Sequence, residues 1–220
     1  MRLPFTGDEF LSVFQAYNLA IWPMQIVAYL AGAAAIVMLI ARPCTTGRAI
    51  SATLSLMWLW NGIVYHIGYF TAINKGAFLF GPLFIVQSML FFWSGVRRNH
   101  LIYGFSGDRY SLAGCLFILY AMALYPILGT LAGHSWPHSP VFGVAPCPST
   151  IFTFGLLLLT RGRVPKHLLV VPFLWAVIGL SAAVTLSIYE DYGLFIAGLT
   201  GATLLLVRDR KGPVFLRAHE

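Results

Sequence analysis

The sequence predicts an all-α, multi-pass membrane protein folded as a seven-helix bundle. Of its 220 residues, 59% are hydrophobic and only 10% are charged, whereas a soluble domain carries about a quarter charged residues. The apolar residues are also grouped into stretches, and the basic residues are unevenly distributed between those stretches. A chain this apolar needs the lipid bilayer as its solvent, so residues 1–220 are predicted to form a single integral membrane domain.

Seven apolar stretches are predicted to be membrane spans. A helix needs about 20 apolar residues to cross the hydrocarbon core of a bilayer. The stretches that approach this length are 18–41, 49–71, 77–96, 111–132, 148–160, 168–189 and 192–207. The fifth and the seventh are short for a span, and the other five are long enough.

The basic residues predict the orientation of the bundle. Twelve of the fourteen Lys and Arg residues follow the first, third, fifth or seventh span, and only Arg2 and Lys75 fall on the other side. Since cytoplasmic loops carry the excess of Lys and Arg, the N-terminus is predicted outside and the C-terminus inside. This bias and the attraction of anionic lipid account for the net charge of +7, so no nucleic-acid partner is expected.

A short amphipathic helix is predicted before the first span. Thr6 and Glu9 have the spacing of a capping box, and Phe5 and Phe10 have the spacing of a hydrophobic staple. Apolar residues then recur at helical spacing at Phe10, Phe14 and Tyr17. We expect this helix to lie on the outer surface as an anchor or lid, and to end near Trp22-Pro23.

Polar residues of the predicted spans gather towards the outer side. Gln25 lies near the outer end of the first span, and His66 lies in the outer third of the second span, beyond Asn61. Because polar side chains in lipid usually face the bundle interior, an outward-facing polar cavity is predicted. Glu190 and Asp191 are predicted to join the last two spans outside, which leaves no carboxyl group at a span centre and argues against a proton pump.

The outer loop "GHSWPHSPVFGVAPCPSTIFTFG", residues 133–155, is predicted to dip into the bundle. Within it, "APCPST" has the features of a helix start, with Cys147 at or near the N-cap and Pro148 at the first helical position. The free N–H groups of such a start favour an anion or a polar substrate, and they also favour a Cys147 thiolate. The predicted substrate-binding residues are Gln25, Asn61, His66, Cys147 and Thr150.

A metal site is a second possibility for the same region. The candidate ligands are His66, His134, His138 and Cys147, and nitrogen and sulfur ligands of this kind suit zinc or copper. Their spacing matches no established motif such as paired CxxC. Each also has a structural interpretation: a hydrogen-bonded core histidine, a solvated pair of loop histidines and an inert small cysteine.

The chain resembles a bacterial family of multi-pass membrane proteins that is known only as a domain of unknown function. The resemblance covers most of the chain and is carried by "FTGDEFLSVFQAYNLAIWPMQ", "WLWNGIVYHIGYFTAIN", "LFGPLFIVQ", "LYPILGTLAGHSWPHSPVFGVAPCPSTIFTFGLLLL" and "PFLWAVIGLSAA". It implies a full-length integral protein of the bacterial inner (plasma) membrane. It implies no activity and no catalytic residue.

Two functional classes are left by these patterns, besides a structural or accessory role. The favoured class is a permease or binding protein for a small polar solute or ion, which uses the outward-facing cavity. The alternative is a membrane-embedded, metal-dependent hydrolase that uses the outer His and Cys residues. Hydrolysis of this kind needs a carboxylate or an activated water held in the bundle, and no predicted span carries a carboxylate, so an enzyme is disfavoured.

Overall fold

The computed structural model describes residues 4–41 and 44–210. Within these ranges every regular element is a helix, apart from an isolated antiparallel bridge between Tyr103 and Thr160. The all-α fold class is therefore confirmed for the described part of the chain. Arg2, Arg42, Lys211 and Arg217, which contribute to the predicted charge asymmetry, lie outside it.

The helices follow one another with short connections. They are α1 Gly7–Ala20, α2 Met24–Ala41, α3 Thr46–Trp60, α4 Ala77–Phe91, α5 Arg109–Leu119, α6 Tyr125–Leu131, α7 Pro146–Leu158, α8 His167–Leu186 and α9 Tyr192–Arg210. Three π-helical segments extend or join them: Asn61–Tyr69 after α3, Phe92–Arg97 after α4, and Tyr120–Leu124 between α5 and α6. The last segment joins α5 and α6 into one continuous helix, Arg109–Leu131.

Successive helices, with the π-helical segments that extend them, run back and forth between two ends of the bundle. At the end we call the α1 end, α1 contacts Phe70 after α3, Val144 before α7 and Leu186 at the end of α8. At the opposite end, the Arg208 end, Gly104 bonds to Leu159 and Arg208 bonds to Thr160. Lys75 lies at the α1 end, and the other nine of the ten described Lys and Arg residues lie at the Arg208 end.

Five helical segments are long and apolar enough to cross a membrane: Met24–Ala41, Ala77–Arg97, Arg109–Leu131, His167–Leu186 and Tyr189–Arg210. Two of the predicted spans are not among them in the described part of the chain. The predicted span 49–71 corresponds to α3 and its π-helical continuation, where Asn61, His66 and two serines reduce the apolar character. The predicted span 148–160 corresponds to α7, whose 13 residues are fewer than the roughly 20 that a span needs.

The start of α1 has the capping box and staple that the sequence predicts. The hydroxyl of Thr6 accepts a hydrogen bond from the Glu9 N–H at 3.3 Å, and the Glu9 carboxylate accepts one from the Thr6 N–H at 2.7 Å. The rings of Phe5 and Phe10 stack at 6.0 Å. The apolar face of α1 packs on rings of the bundle, with Phe14 stacked 5.1 Å from Tyr65.

Helix α7 is the centre of the bundle, and every one of its residues is buried. It packs against α3, α5, α8 and α9. Its closest neighbour is α5, because two glycines face each other: a Cβ atom on Gly155 would lie only 2.9 Å from the carbonyl oxygen of Gly114. Helix α7 is therefore surrounded on all sides by the described part of the protein and presents no face to lipid.

Candidate functional site

The loop before α7 enters the bundle, as the sequence predicts. Phe142, Val144 and Ala145 are buried, and the hydroxyl of Tyr17 in α1 donates to the Val144 carbonyl at 2.7 Å. Helix α7 begins two residues earlier than expected, with Ala145 as N-cap and Pro146 as its first residue. Irregular backbone at this depth is tolerated because it is enclosed by protein.

Asp191 lies beside the start of α7. Its Oδ1 atom accepts a 2.6 Å hydrogen bond from the hydroxyl of Tyr125, and its Oδ2 atom accepts a 3.5 Å hydrogen bond from the thiol of Cys147. Asp191 is fully buried. A carboxyl group close to a helix N-terminus is favoured by the helix dipole, so the position is consistent with an acidic side chain.

Glu190, the neighbour of Asp191, is also fully buried. Its Oε1 atom lies 3.3 Å from Nδ1 of His134, and its backbone carbonyl accepts a hydrogen bond from Tyr120 at 2.8 Å. Its Oε2 atom has no hydrogen-bond partner among the residues that the structure describes. Two adjacent carboxyl groups are thus held inside the bundle at the α1 end, and we call Glu190 and Asp191 the acidic pair.

The acidic pair lies in the connection between α8 and α9, as the sequence predicts, but this connection is buried. The turn from α8 to α9 is drawn inwards: Ser187 adopts a left-handed conformation with φ of 60°, and Tyr189–Asp191 form a single 3₁₀ turn. One signal was available. Two charged residues in a connection of only two residues between apolar spans have almost no room to reach solvent.

His66 is caged by aromatic rings. It lies in the π-helical segment Asn61–Tyr69, a type of segment that is frequent at functional sites. The imidazole ring is 4.5 Å from the ring of Phe84 and 4.9 Å from that of Trp175, centroid to centroid. It is fully buried, and neither of its nitrogens has a hydrogen-bond partner in residues 4–41 and 44–210.

The other predicted substrate-binding residues lie in separate polar contacts. The amide of Gln25 donates to the backbone carbonyl of Asn18 at 2.9 Å. The amide of Asn61 donates to the carbonyls of Met57 and Gly143 at 2.8 and 3.3 Å. The hydroxyl of Thr150 donates to its own helix, at the Pro146 carbonyl. Of the five predicted residues, only Cys147 contacts the acidic pair through a hydrogen bond that the structure shows.

The four predicted metal ligands do not assemble into one group. His134 bonds to Glu190, Cys147 bonds to Asp191, His66 lies among aromatic rings, and His138 is half-buried in the loop. Within residues 4–41 and 44–210, no three His, Cys, Asp or Glu side chains are arranged to hold a metal ion. In the described part of the chain, the four residues thus lie in different surroundings.

The sequence predicts that a Cys147 thiolate is favoured, but the surroundings of this side chain in the structure disfavour it. The side chain is 5% exposed and its thiol acts as a hydrogen-bond donor to the Asp191 carboxylate. A negative neighbour and burial both disfavour a second negative charge, and these effects oppose the field of the helix N-terminus. These surroundings favour the neutral thiol of Cys147 over the thiolate.

A ring-lined cavity of about 110 Å³ reaches this thiol and carboxyl group. A single water needs only about 10–15 Å³ of such volume, so the cavity has room for a small organic molecule. It lies under α1, between the π-helical segment, α4, α8 and the start of α7. Its walls include Phe10, Phe14, Tyr65, Phe70, Phe80 and Trp175.

Fold and site together define an all-helical protein with several helices fit to cross a membrane and a buried acidic pair beside an aromatic cavity. The chain belongs to a family described as "Family of unknown function (DUF6064)", which matches residues 7–214. The resemblance to an uncharacterised family is thereby confirmed over most of the chain. No curated protein and no solved structure matches it.

Proposed function

We propose that the protein is a permease or binding protein for a small polar solute or ion in the inner membrane of a bacterium. The observation that carries the proposal is the acidic pair, fully buried at the α1 end, with Asp191 lining a cavity large enough for a solute. Burying a charged or polar group is costly unless it is paired, so polar groups inside a membrane protein usually mark a functional pathway.

Three groups near the cavity support the proposal. Among the described residues, the Nε1 atom of Trp175 and both nitrogens of His66 have no hydrogen-bond partner. The Oε2 atom of Glu190 likewise has no partner within the described ranges. Leaving such a group unsatisfied costs about 1–3 kcal/mol. Trp175 is the one of the three that lines the cavity, and a solute or water bound there would remove the cost for its indole nitrogen.

The charge distribution supports a membrane topology with the cavity on the outer side. Nine of the ten described Lys and Arg residues lie at the end opposite the cavity. The Arg208 end would therefore face the cytoplasm under the positive-inside rule. In this topology all seven predicted spans cross the membrane, including α7 and α3 with its π-helical continuation. Helix α1 covers the cavity on the outer side. No observation favours the metal-dependent hydrolase.

The proposal requires that solutes can reach the cavity. In purified protein carrying Cys44→Ser and Cys115→Ser, Cys147 should react with the neutral reagent methyl methanethiosulfonate clearly faster than a buried control thiol, and its rate should rise with pH as the thiolate forms. The matched control is Phe152→Cys in a background that lacks all three native cysteines, because Phe152 is fully buried on the same helix. A Cys147 as unreactive as the residue-152 thiol would show a sealed core and would contradict the proposal.

A further inference from the structure

The ligand class can be inferred from the charges around the cavity, if the cavity is the solute site proposed above. Asp191 and Glu190 are both buried, and His134 is the basic side chain that pairs with them, at Glu190. Asp191 receives its two hydrogen bonds from Tyr125 and Cys147, which are neutral donors. Within the described ranges, no Lys, Arg or His forms an ion pair with Asp191.

A buried carboxylate without a cation is energetically costly. A positive charge supplied by a ligand would compensate it, and the cavity offers the right surroundings for such a ligand. Its walls are built mainly from aromatic rings, which attract cations through their electron-rich faces. Trp175, whose indole is the best ring type for this contact, lines the cavity together with Asp191.

We propose that the cavity binds a small organic cation, with the ammonium group near Asp191 and its alkyl groups among the rings of Tyr65, Phe70, Phe80 and Trp175. Anionic solutes are excluded because they would meet a carboxylate in a site of low dielectric constant. Neutral solutes of the same shape bind more weakly because they leave Asp191 uncompensated. Helix α1 closes the site, since Phe10 and Phe14 form part of its wall.

The experiment uses the full-length protein in nanodiscs with Cys44→Ser and Cys115→Ser. Two thiol reagents of similar size are compared at Cys147: the trimethylammonium-ethyl and the sulfonato-ethyl methanethiosulfonates. In each case the Cys147 sulfur forms a disulfide with the reagent and methanesulfinate leaves. Relative to the same ratio for 2-mercaptoethanol, the cationic reagent should be favoured by about tenfold or more, as one charge pair at low dielectric predicts.

Two comparisons isolate the role of Asp191. Asp191→Asn should remove most of the preference for the cationic reagent, whereas Asp8→Asn, at an exposed position on α1, should leave it unchanged. Choline should slow the modification of Cys147, and its neutral isostere 3,3-dimethylbutan-1-ol should slow it much less. The choline comparison needs no change at Asp191, so it decides the question even if Asp191→Asn fails to fold.

The possible results separate this inference from the function on which it rests. If Cys147 reacts with neutral methyl methanethiosulfonate but shows no charge preference, and choline and its isostere protect equally, the organic cation is ruled out while an accessible solute site stands. That result would mean that Asp191 is protonated in the cavity. If no reagent of any charge reaches Cys147, the solute site itself is wrong.

Discussion

Arg208 shows how one side chain can complete a buried helix. Its guanidinium donates to the carbonyls of Leu158, Thr160 and Gly162 at 3.2, 2.9 and 3.1 Å, and to the hydroxyl of Thr160 at 3.1 Å. These acceptors lie at and just beyond the C-terminus of α7, where the last carbonyls of a helix have no intrahelical partner. The positive charge also complements the negative end of the helix dipole.

Removing Arg208 should therefore destabilise the whole bundle. Arg208→Ala is expected to lower the free energy of unfolding by roughly 2–4 kcal/mol, because several buried carbonyls lose a charged donor. Arg208→Lys should fall between Ala and the native residue, since a single ammonium cannot reach all four acceptors. Thermal unfolding of purified protein measures the effect.

The matched control for this prediction is Arg210→Ala. Arg210 lies in the same last turn of α9 but is exposed, so its loss should change stability by no more than about 0.5 kcal/mol. Equal stability of Arg208→Ala and Arg210→Ala would show that the cap contributes nothing.

At the scale of elements, α9 connects the two ends of α7. Asp191, directly before α9, reaches the N-terminus of α7, and Arg208, in the last turn of α9, reaches its C-terminus. The two helices thus run in the same direction, and each charge matches the sign that the α7 dipole favours at that end. The short, fully buried helix α7 is therefore contacted at each end by a charged side chain, one directly before α9 and one within it.

Helix α1 depends on its capping box for its start, and this gives it a pH dependence. The backbone N–H and then the hydroxyl of Thr6 stabilise the Glu9 carboxylate, which lowers the pKa of Glu9 from its ordinary value. A lowered pKa in the folded state means that this stabilisation is present at neutral pH. It is lost as the pH falls below the ordinary glutamate range and through the lowered pKa.

Acidification should therefore loosen the start of α1 in the native protein. Hydrogen exchange of the α1 amides, corrected for the intrinsic rate at each pH, should show less protection in acid than at neutral pH. Glu9→Gln should abolish this pH dependence, because glutamine keeps an acceptor but does not titrate. The same pH dependence in Glu9→Gln as in the native chain would assign the effect to another group.

At the scale of the whole molecule, the charge asymmetry predicts a single topology. The Arg208 end, which carries nine of the ten described Lys and Arg residues, is expected to face the cytoplasm. A reporter enzyme fused at the C-terminus should be active inside the cell. Ser135→Cys, at an exposed loop position of the α1 end, should be labelled from outside by an impermeant maleimide in a chain without its native cysteines.

The topology prediction has a clear counter-result. Labelling of the residue-135 thiol only after permeabilisation, together with a C-terminal reporter that is active only outside, would place the cavity on the cytoplasmic side. A reporter and a thiol on the same side would show that the chain crosses the membrane an even number of times between residue 135 and the C-terminus, instead of the three crossings by α7, α8 and α9 that we expect.

Local patterns in the sequence determined the features that depend on nearby residues. The capping box of Thr6 and Glu9 joins residues three positions apart, and the staple of Phe5 and Phe10 is equally local. Hydropathy over about 20 residues predicts most of the long helices, and the charge asymmetry is a property of composition along the chain. The inward dip of the loop before α7 was predictable too, because α7 is too short to span on its own.

Only the tertiary structure decided the site. The acidic pair is buried because of partners far away in the chain: Tyr125 is 66 positions from Asp191, His134 is 56 positions from Glu190, and Cys147 is 44 positions from Asp191. No local pattern encodes these distances. In the same way, His66 was predicted to join the loop histidines, but packing between the π-helical segment, α4 and α8 surrounds it with rings instead. Local preferences determine which segments become helices, whereas the polar groups that meet inside depend on how those helices pack, and packing couples the entire chain.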